Sequence, residues 1–299
     1  MSQRIVFVTQ ELEPLVPGGA ATVIAGLRER LAASHRIGVI LAAAGAPTGT
    51  DPDVEVIAVA PSDGTIGWFV ERSRRLGNAL AESHRRDPID LVEFTDFEAT
   101  AFWTMAHRQE LGLDGVRLAV RLHGPIEAVT AALGVAPPLF AALGHLERVA
   151  LAAADAVLVP SAAVGDWAVA RYGLEPARVV VAPPPVPDVV PVERRPAPQP
   201  RLAVFGRLAE QKGTHDLAAV LPDLLAAVPD LTIAFVGSDG WSFTEDRRMS
   251  AVLLDGIPPQ WRHRVELLGP MPRHQALANL ADAWAVVLPS RFETFCLAA

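Results

Sequence analysis

A proline-rich stretch divides this chain and limits what it can fold into. Pro183-Pro184-Pro185-Val186-Pro187 leads through Pro191, Pro196, Pro198 and Pro200. Proline fixes φ and removes an amide donor, so neither a helix nor a central strand can run through such a segment. Residues 183–200 therefore read as an interdomain linker. In the first part, residues 1–182, short apolar and β-branched runs at 4–9, 37–41, 54–59, 89–94, 116–122, 156–159 and 179–181 read as buried parallel strands. Helix-compatible stretches fall between most of them, at 20–33, 68–85, 99–109, 138–153 and 163–171. In the second part, residues 201–299, strands are expected at 202–205, 232–236, 265–268 and 285–288, with helices at 216–227 and 274–282. A further helix is expected to begin near Thr294. This alternation predicts an α/β protein of two parallel sheets wrapped by helices. Two such halves are expected to hold a ligand in the crevice between them, at the C-terminal ends of the strands.

Composition removes several function classes. Hydrophobic residues make up 51% of the 299, which excludes a disordered chain. The net charge of -8 argues against broad nucleic-acid binding. The single cysteine, Cys296, excludes an internal disulfide and a thiolate metal cluster. No basic-apolar-small segment opens the chain, and its apolar runs are strand-sized, so a cytoplasmic location is expected. Trp68 and Phe69 with Arg72, Arg74, Arg75, Arg85 and Arg86 read as a solvated helix face, with a peripheral membrane contact as the alternative.

The most specific constellation is Phe205-Gly206-Arg207-Leu208 followed by Lys212-Gly213. It is a strand end, a glycine turn and two cations five positions apart at the entry to a helix. Arg207 offers a planar fork and Lys212 a point charge, so the pair can meet a diphosphate twice. Gly206 lets backbone approach closely. A lone Gly-Arg pair would be a turn with a surface charge; here it opens the second α/β half. A second constellation closes the chain: Pro289-Ser290-Arg291-Phe292-Glu293-Thr294-Phe295-Cys296-Leu297. A helix beginning after Glu293 would present free amides to phosphate oxygens, whereas the bland reading is an acid in a helix's first turn. Gly18-Gly19 follows the first strand, where an ordinary βα turn competes with a helix N-terminus facing a ligand. The eight histidines and the carboxylates show no metal-ligand spacing.

These segments resemble retaining glycosyltransferase family 4. The likeness rests on Gly-Arg-x(4)-Lys-Gly at Gly206–Gly213 and Pro-Ser-x-x-Glu-x-Phe at Pro289–Phe295. It extends to Arg121-Leu122-His123-Gly124-Pro125, to Val92–Glu98 and to Glu11 with Gly18-Gly19. The resemblance implies a GT-B fold, two Rossmann-like domains facing across a cleft, and transfer of a sugar from a UDP-, GDP- or ADP-sugar with no further cofactor and no metal. It implies that Arg207 and Lys212 hold the diphosphate and that Glu293 and His123 orient the transferred sugar. Thr294, Phe295, Cys296 and Leu297, together with Gly18, Gly19, Gly206, Gly237 and Met271, would line the nucleotide sugar. Glu93 and Asp96 would face the acceptor, which could be a sugar, a lipid or a small metabolite. Cys296 stands where the family has glycine. The family's second glutamate would fall just past Ala299, so an incomplete second domain and weak binding of the nucleotide sugar are expected. The alternatives are a nucleotide-sugar 2-epimerase of the same fold and a binding module without turnover.

Overall fold

The computed structural model describes every residue except 1, 14, 17, 45–50, 135–136, 187–191 and 298–299. Pro14, Pro17, Pro187 and Pro191 thus lie outside the described residues. The chain forms two compact units, one of Met1–Thr130 and Ala136–Pro187, the other of Ala131–Val135 and Asp188–Ala299.

The first unit contains β1 (Arg4–Thr9), α1 (Gly19–Leu31), β2 (Arg36–Ala44), β3 (Val54–Val59), α2 (Ile66–Arg86), β4 (Leu91–Thr95), α3 (Phe102–Ala106), β5 (Arg117–Arg121), the first part of α4 (Ile126–Leu133), α5 (Pro138–Ala153), β6 (Ala156–Val159), α6 (Ala162–Tyr172) and β7 (Val179–Val181). Its seven strands pair in parallel in the order β3-β2-β1-β4-β5-β6-β7. Successive side chains of β1 enter opposite faces, as a pleated strand requires. Val6 and Val8 join Ile40, Leu76 and Leu80 in one core, while Ile5 and Phe7 join Ile24, Val39 and Leu41 in the other. The strand order reverses between β1 and β4, and in open α/β sheets ligands sit at the carboxyl ends of such a switch point.

One expectation changes here. The helix expected over residues 99–109 shrinks to α3, because Glu98 and Ala99 take positive φ of 53° and 57° and break the run. The basic face of α2 is solvated as expected at Arg75, Arg85 and Arg86, while Arg72 is buried. Arg72 is 3% exposed, Arg74 pairs with Glu71 at 2.7 Å, and Arg86 pairs with Glu55 at 2.6 Å. Arg75 donates to the Ala58 carbonyl at 2.6 Å and Arg85 to the Ala81 carbonyl at 3.3 Å. Among the described residues no helix is long and apolar enough to cross a membrane.

The second unit adds β8 (Arg201–Phe205), α7 (Thr214–Ala227), β9 (Thr232–Val236), a hairpin of β10 (Trp241–Ser242) and β11 (Arg247–Arg248), α8 (Met249–Asp255), β12 (Val265–Gly269), α9 (Arg273–Ala281) and β13 (Ala285–Val287). Its main sheet is parallel in the order β12-β9-β8-β13, with the switch point between β8 and β13. Val204, Ile233 and Phe235 pack on Leu217, Leu221 and Leu225 of α7. The ends of the proline-rich stretch are docked. Ala182 accepts from Arg121 at 2.8 Å, whereas Arg195 and Ala197 donate to the carbonyls of Ala281 and Asp282. The helix expected at Thr294 is not formed within the described residues. Residues 290–297 are bends, turn and extended chain.

Candidate functional site

In the second unit, three glycine turns meet at the carboxyl ends of β8, β9 and β12. The Gly206 amide donates to the Val236 carbonyl at 2.9 Å, Gly237 to Gly269 at 3.0 Å, and Gly240 to Leu208 at 2.9 Å. A Cβ at Gly237, whose φ is 152°, would lie 2.0 Å from the Gly206 oxygen, so only glycine permits this contact. Gly206 itself has φ 126° with open space where a side chain would be. The result is a side-chain-free shelf beside Arg207. Arg207 is exposed and has no hydrogen-bond or ion-pair partner among the described residues.

Lys212 ends a single 3-10 turn, Glu210–Lys212, which Gly213 closes at φ 75°. A Cβ at Gly213 would fall 2.1 Å from the Pro289 oxygen. That close approach brings the end of β13 against the entry to α7. Three ties then strap the segment after β13 down. Lys212 Nζ lies 2.5 Å from Glu293 Oε1, the Arg291 amide donates to the Gln211 carbonyl at 2.9 Å, and Arg291 pairs with Asp216 at 2.6 Å. Ser290 Oγ donates to the same Glu293 oxygen at 2.7 Å. Lys212 and Glu293 thus meet at the β8/β13 switch point, and Arg207 leaves the end of β8, five positions before Lys212. Thr294, Phe295, Cys296 and Leu297 are half-buried in the bends and turn that follow. Gly237 belongs to the shelf, and Met271 follows the β12 turn, where its sulfur accepts from Asn279 at 3.6 Å.

Sequence reasoning missed what supports this loop. Glu210 is 3% exposed and accepts from Ser242 Oγ at 2.7 Å and from the Thr244 amide at 3.0 Å. Burial pushes its carboxyl up, but the hydrogen bonds from Ser242 and Thr244 outweigh burial and leave it below the usual range. It anchors the β10–β11 hairpin, whose two-residue strands are too short to signal themselves. One sequence signal does point here: Lys212 is the only lysine in the chain.

In the first unit, Gly18 and Gly19 open α1, but the anion at that helix end is internal. Glu11 Oε2 accepts from the Ala20 amide at 3.0 Å. A Cβ at Gly18 would sit 2.1 Å from the Glu11 carboxylate, so the glycine makes room for a protein group. The expected contact of Gly18 and Gly19 with a phosphate therefore has a carboxylate in its place.

Glu93 and Asp96, expected to face an acceptor, are engaged by the protein. Glu93 forms a buried two-pronged pair with Arg121, at 2.7 and 3.1 Å. Asp96, 3% exposed, accepts from the amides of His123 at 3.0 Å and Gly124 at 3.1 Å. Burial pushes its carboxyl up to about 6 against those hydrogen bonds. Asp96 thereby fixes the backbone that presents His123. Burial, with the Arg121 charge adding to it, lowers the His123 imidazole to about 3, so the ring is neutral near pH 7.

Two further groups at this edge escaped the sequence. Glu98 sits at φ 53° and ψ 41°, a conformation costly for a side-chain-bearing residue. Its Oε2 takes Arg72 at 2.7 Å, its carbonyl takes Arg72 at 2.8 Å, and its amide donates to Glu147 at 3.1 Å. Glu147, 2% exposed on α5, also accepts from the Ile126 amide at 2.8 Å. Burial, and then the Asp96 charge, raises its carboxyl well above the usual range. No local pattern marks these residues, since they meet only through the sheet. Among the described residues no group of three or more histidine, cysteine or acidic side chains is placed to hold a metal ion.

Comparison with known proteins agrees with this architecture. The chain is 28% identical over 336 aligned positions to a glycogen synthase of Mycobacterium tuberculosis, covering 99% of this chain and 74% of that protein. A sucrose-phosphate synthase from Thermosynechococcus elongatus superposes with a TM-score of 0.70 at 20% identity, over 99% of this chain and 78% of that one. A protein of Listeria monocytogenes described as a UDP-N-acetylglucosamine 2-epimerase superposes with a TM-score of 0.56 at 14% identity, over 95% and 74% of the two chains. These likenesses in structure are of fold, the GT-B arrangement of parallel α/β sheets. The sequence model of Glycosyltransferase Family 4 matches residues 17–189, more than half of the chain. The chain belongs to glycosyltransferase family 4.

Proposed function

We propose that this hexosyltransferase moves a sugar from a nucleoside-diphosphate sugar to an acceptor hydroxyl with retention at the anomeric carbon. The observation that carries it is the Lys212–Glu293 pair at the β8/β13 switch point, with Arg207 leaving the end of β8 beside the glycine shelf. Arg207, which has no protein partner among the described residues, and Lys212 take the diphosphate. In the reaction the anomeric C–O bond to the diphosphate breaks as the acceptor oxygen bonds to the same carbon from the same face. The departing phosphate oxygen takes the acceptor's proton. Negative charge grows on the diphosphate as the bond breaks, and preorganised cations stabilise that charge by about 3–4 kcal/mol per lost partner in comparable sites. Glu293, held by Lys212 and Ser290, orients the sugar hydroxyls, and neutral His123 contributes a hydrogen bond rather than a charge.

A thermal-shift panel of UDP-, GDP- and ADP-sugars tests this, because a ligand that binds only the folded form raises its apparent stability. One class is expected to raise the Tm, and Arg207→Ala with Lys212→Ala together is expected to abolish that rise. A rise that survives the double substitution contradicts the assignment of the diphosphate. Incubation with UDP-N-acetylglucosamine and no acceptor examines the epimerase alternative; formation of the 2-epimer would replace the transferase proposal.

A further inference from the structure

The segment that presents His123 is held by two buried carboxylates. The amides of His123 and Gly124 donate to Asp96 at 3.0 and 3.1 Å. Pro125 has no amide hydrogen, and the next amide, that of Ile126, donates to Glu147 Oε2 at 2.8 Å. Every amide from His123 to Ile126 is thus taken up by an acid. The other Glu147 oxygen accepts from the Glu98 amide at 3.1 Å. One side chain on α5 therefore joins the start of α4, 21 positions away, to the turn after β4, 49 positions away.

Stability alone does not account for Glu147. It occupies the apolar stripe of α5, where Leu143, Ala150 and Leu151 are buried on the same face. Replacing buried ionised groups with apolar ones of similar volume is often neutral or stabilising. Burial, and then the Asp96 charge, disfavour the ionised form of Glu147. The first amides of a helix are ordinarily served by a serine, threonine, aspartate or asparagine at its N-cap. Residue 125, just before α4, is a proline, and the partner comes from α5 instead. What this arrangement secures is a fixed segment beyond the end of β5, with His123 at its head.

We propose that Glu147 is a positioning residue of the transfer reaction: through the Ile126 and Glu98 amides it fixes residues 123–126 in the conformation that delivers the His123 ring, and it touches no substrate. The inference rests on the transferase proposal. Misplacing a group in a reacting site by about 1 Å can cost about 100-fold in rate. Glu147→Gln keeps the size and one acceptor oxygen but turns an NH2 group toward the second amide, so one of the two ties is lost. Leu151→Ala, one turn along the same buried face, opens a cavity and touches neither amide. It measures what lost stability does by itself.

Two measurements on the folded variants test the role. By NMR, amide hydrogen exchange in Glu147→Gln is expected to quicken about tenfold more at His123 and Gly124 than at Val6 and Val120 in the sheet, although the first two bond Asp96. Leu151→Ala is expected to quicken all four together. In parallel, diphosphate release is followed with UDP-glucose, UDP-N-acetylglucosamine, GDP-mannose and ADP-glucose as donors and glucose and maltotriose as acceptors. In Glu147→Gln kcat is expected to fall by about tenfold to 100-fold with the donor KM within about threefold of native, while folded Leu151→Ala keeps the native kcat. Glu147→Met, which removes both ties but fills the stripe, carries the same expectation should the glutamine variant not fold. Native kcat in the folded Glu147 variant, unchanged exchange at His123 and Gly124, or an equal kcat loss in Leu151→Ala would overturn the proposal. Native protein that releases diphosphate from none of the four donors overturns the transferase proposal and this inference with it, whereas native release with an unaffected variant overturns only the role of Glu147.

Discussion

Lys212 Nζ and Glu293 Oε1, 81 positions apart in sequence, lie 2.5 Å from each other at the switch point of the second sheet. On the proposed reading, a diphosphate that reaches Lys212 shares or displaces this contact. Both side chains are about a third exposed or less, and a pair of this kind contributes at most about 1 kcal/mol to stability. Lys212→Ala is therefore expected to leave the Tm nearly unchanged while weakening nucleotide-sugar binding by about tenfold or more, as loss of a charge-assisted contact does. Arg207→Ala should behave likewise, since it has no protein partner among the described residues to lose. Calorimetry on both variants checks this, and a large Tm loss without an affinity loss would assign the pair a structural role.

The glycines separate shelf from scaffold. Gly237→Ala and Gly213→Ala each put a methyl about 2 Å from a carbonyl oxygen, at positive φ. Both are expected to destabilise the fold by more than about 2 kcal/mol, through strain and forced separation of the loops. Gly206→Ala meets nothing within 4 Å, so only the backbone strain of about 1–2 kcal/mol applies. Its methyl would instead stand in the open space beside Arg207. Chemical denaturation should show the smaller loss for Gly206→Ala, with nucleotide binding the more impaired property.

The alternation of strands and helices was legible because parallel strands buried on both faces write continuous apolar runs, such as Ile5–Val8 and Thr232–Val236. The Arg207–Lys212 constellation was legible because its chemistry lies within one loop. What escaped depends on distance along the chain. Glu147 reads as an ordinary helix acid until α5 places it beneath Glu98 and Ile126. Glu98 gives no hint of left-handed backbone, because the usual signal is glycine. Glu93 and Asp96 were visible as an acidic strand end, but pairing β4 with β5 turns one toward Arg121 and the other under His123.

That pairing makes Glu93 a stability residue. Glu93→Ala leaves the Arg121 guanidinium buried beside a void, held among the described residues only by the Ala182 carbonyl. Breaking a buried pair by removing one partner costs about 3–5 kcal/mol. A drop of that size in unfolding free energy is expected, together with loss of the defined end of β5. If Glu93→Ala folds with native stability and only acceptor binding falls, the carboxylate faces a ligand after all.

His123 sets a pH limit on the first unit. Its imidazole is lowered to about 3 by burial and by Arg121, against an ordinary value near 6.5. A depressed pKa means that the unfolded chain takes up the proton first. Stability from this group is therefore complete above about pH 6.5 and is lost as pH falls toward 3, by at most about 1.4 kcal/mol per unit. Asp96 opposes it over part of the range. With its carboxyl raised to about 6, its contribution is complete below about pH 4 and is lost as pH rises through 6. Comparing the native protein with His123→Asn isolates the histidine, because Asp96 titrates in both. The native protein is expected to lose stability relative to the variant on acidification below about pH 6.5, and a difference in unfolding free energy that stays flat from pH 7 to pH 4 would show that the ring is not buried as a neutral group.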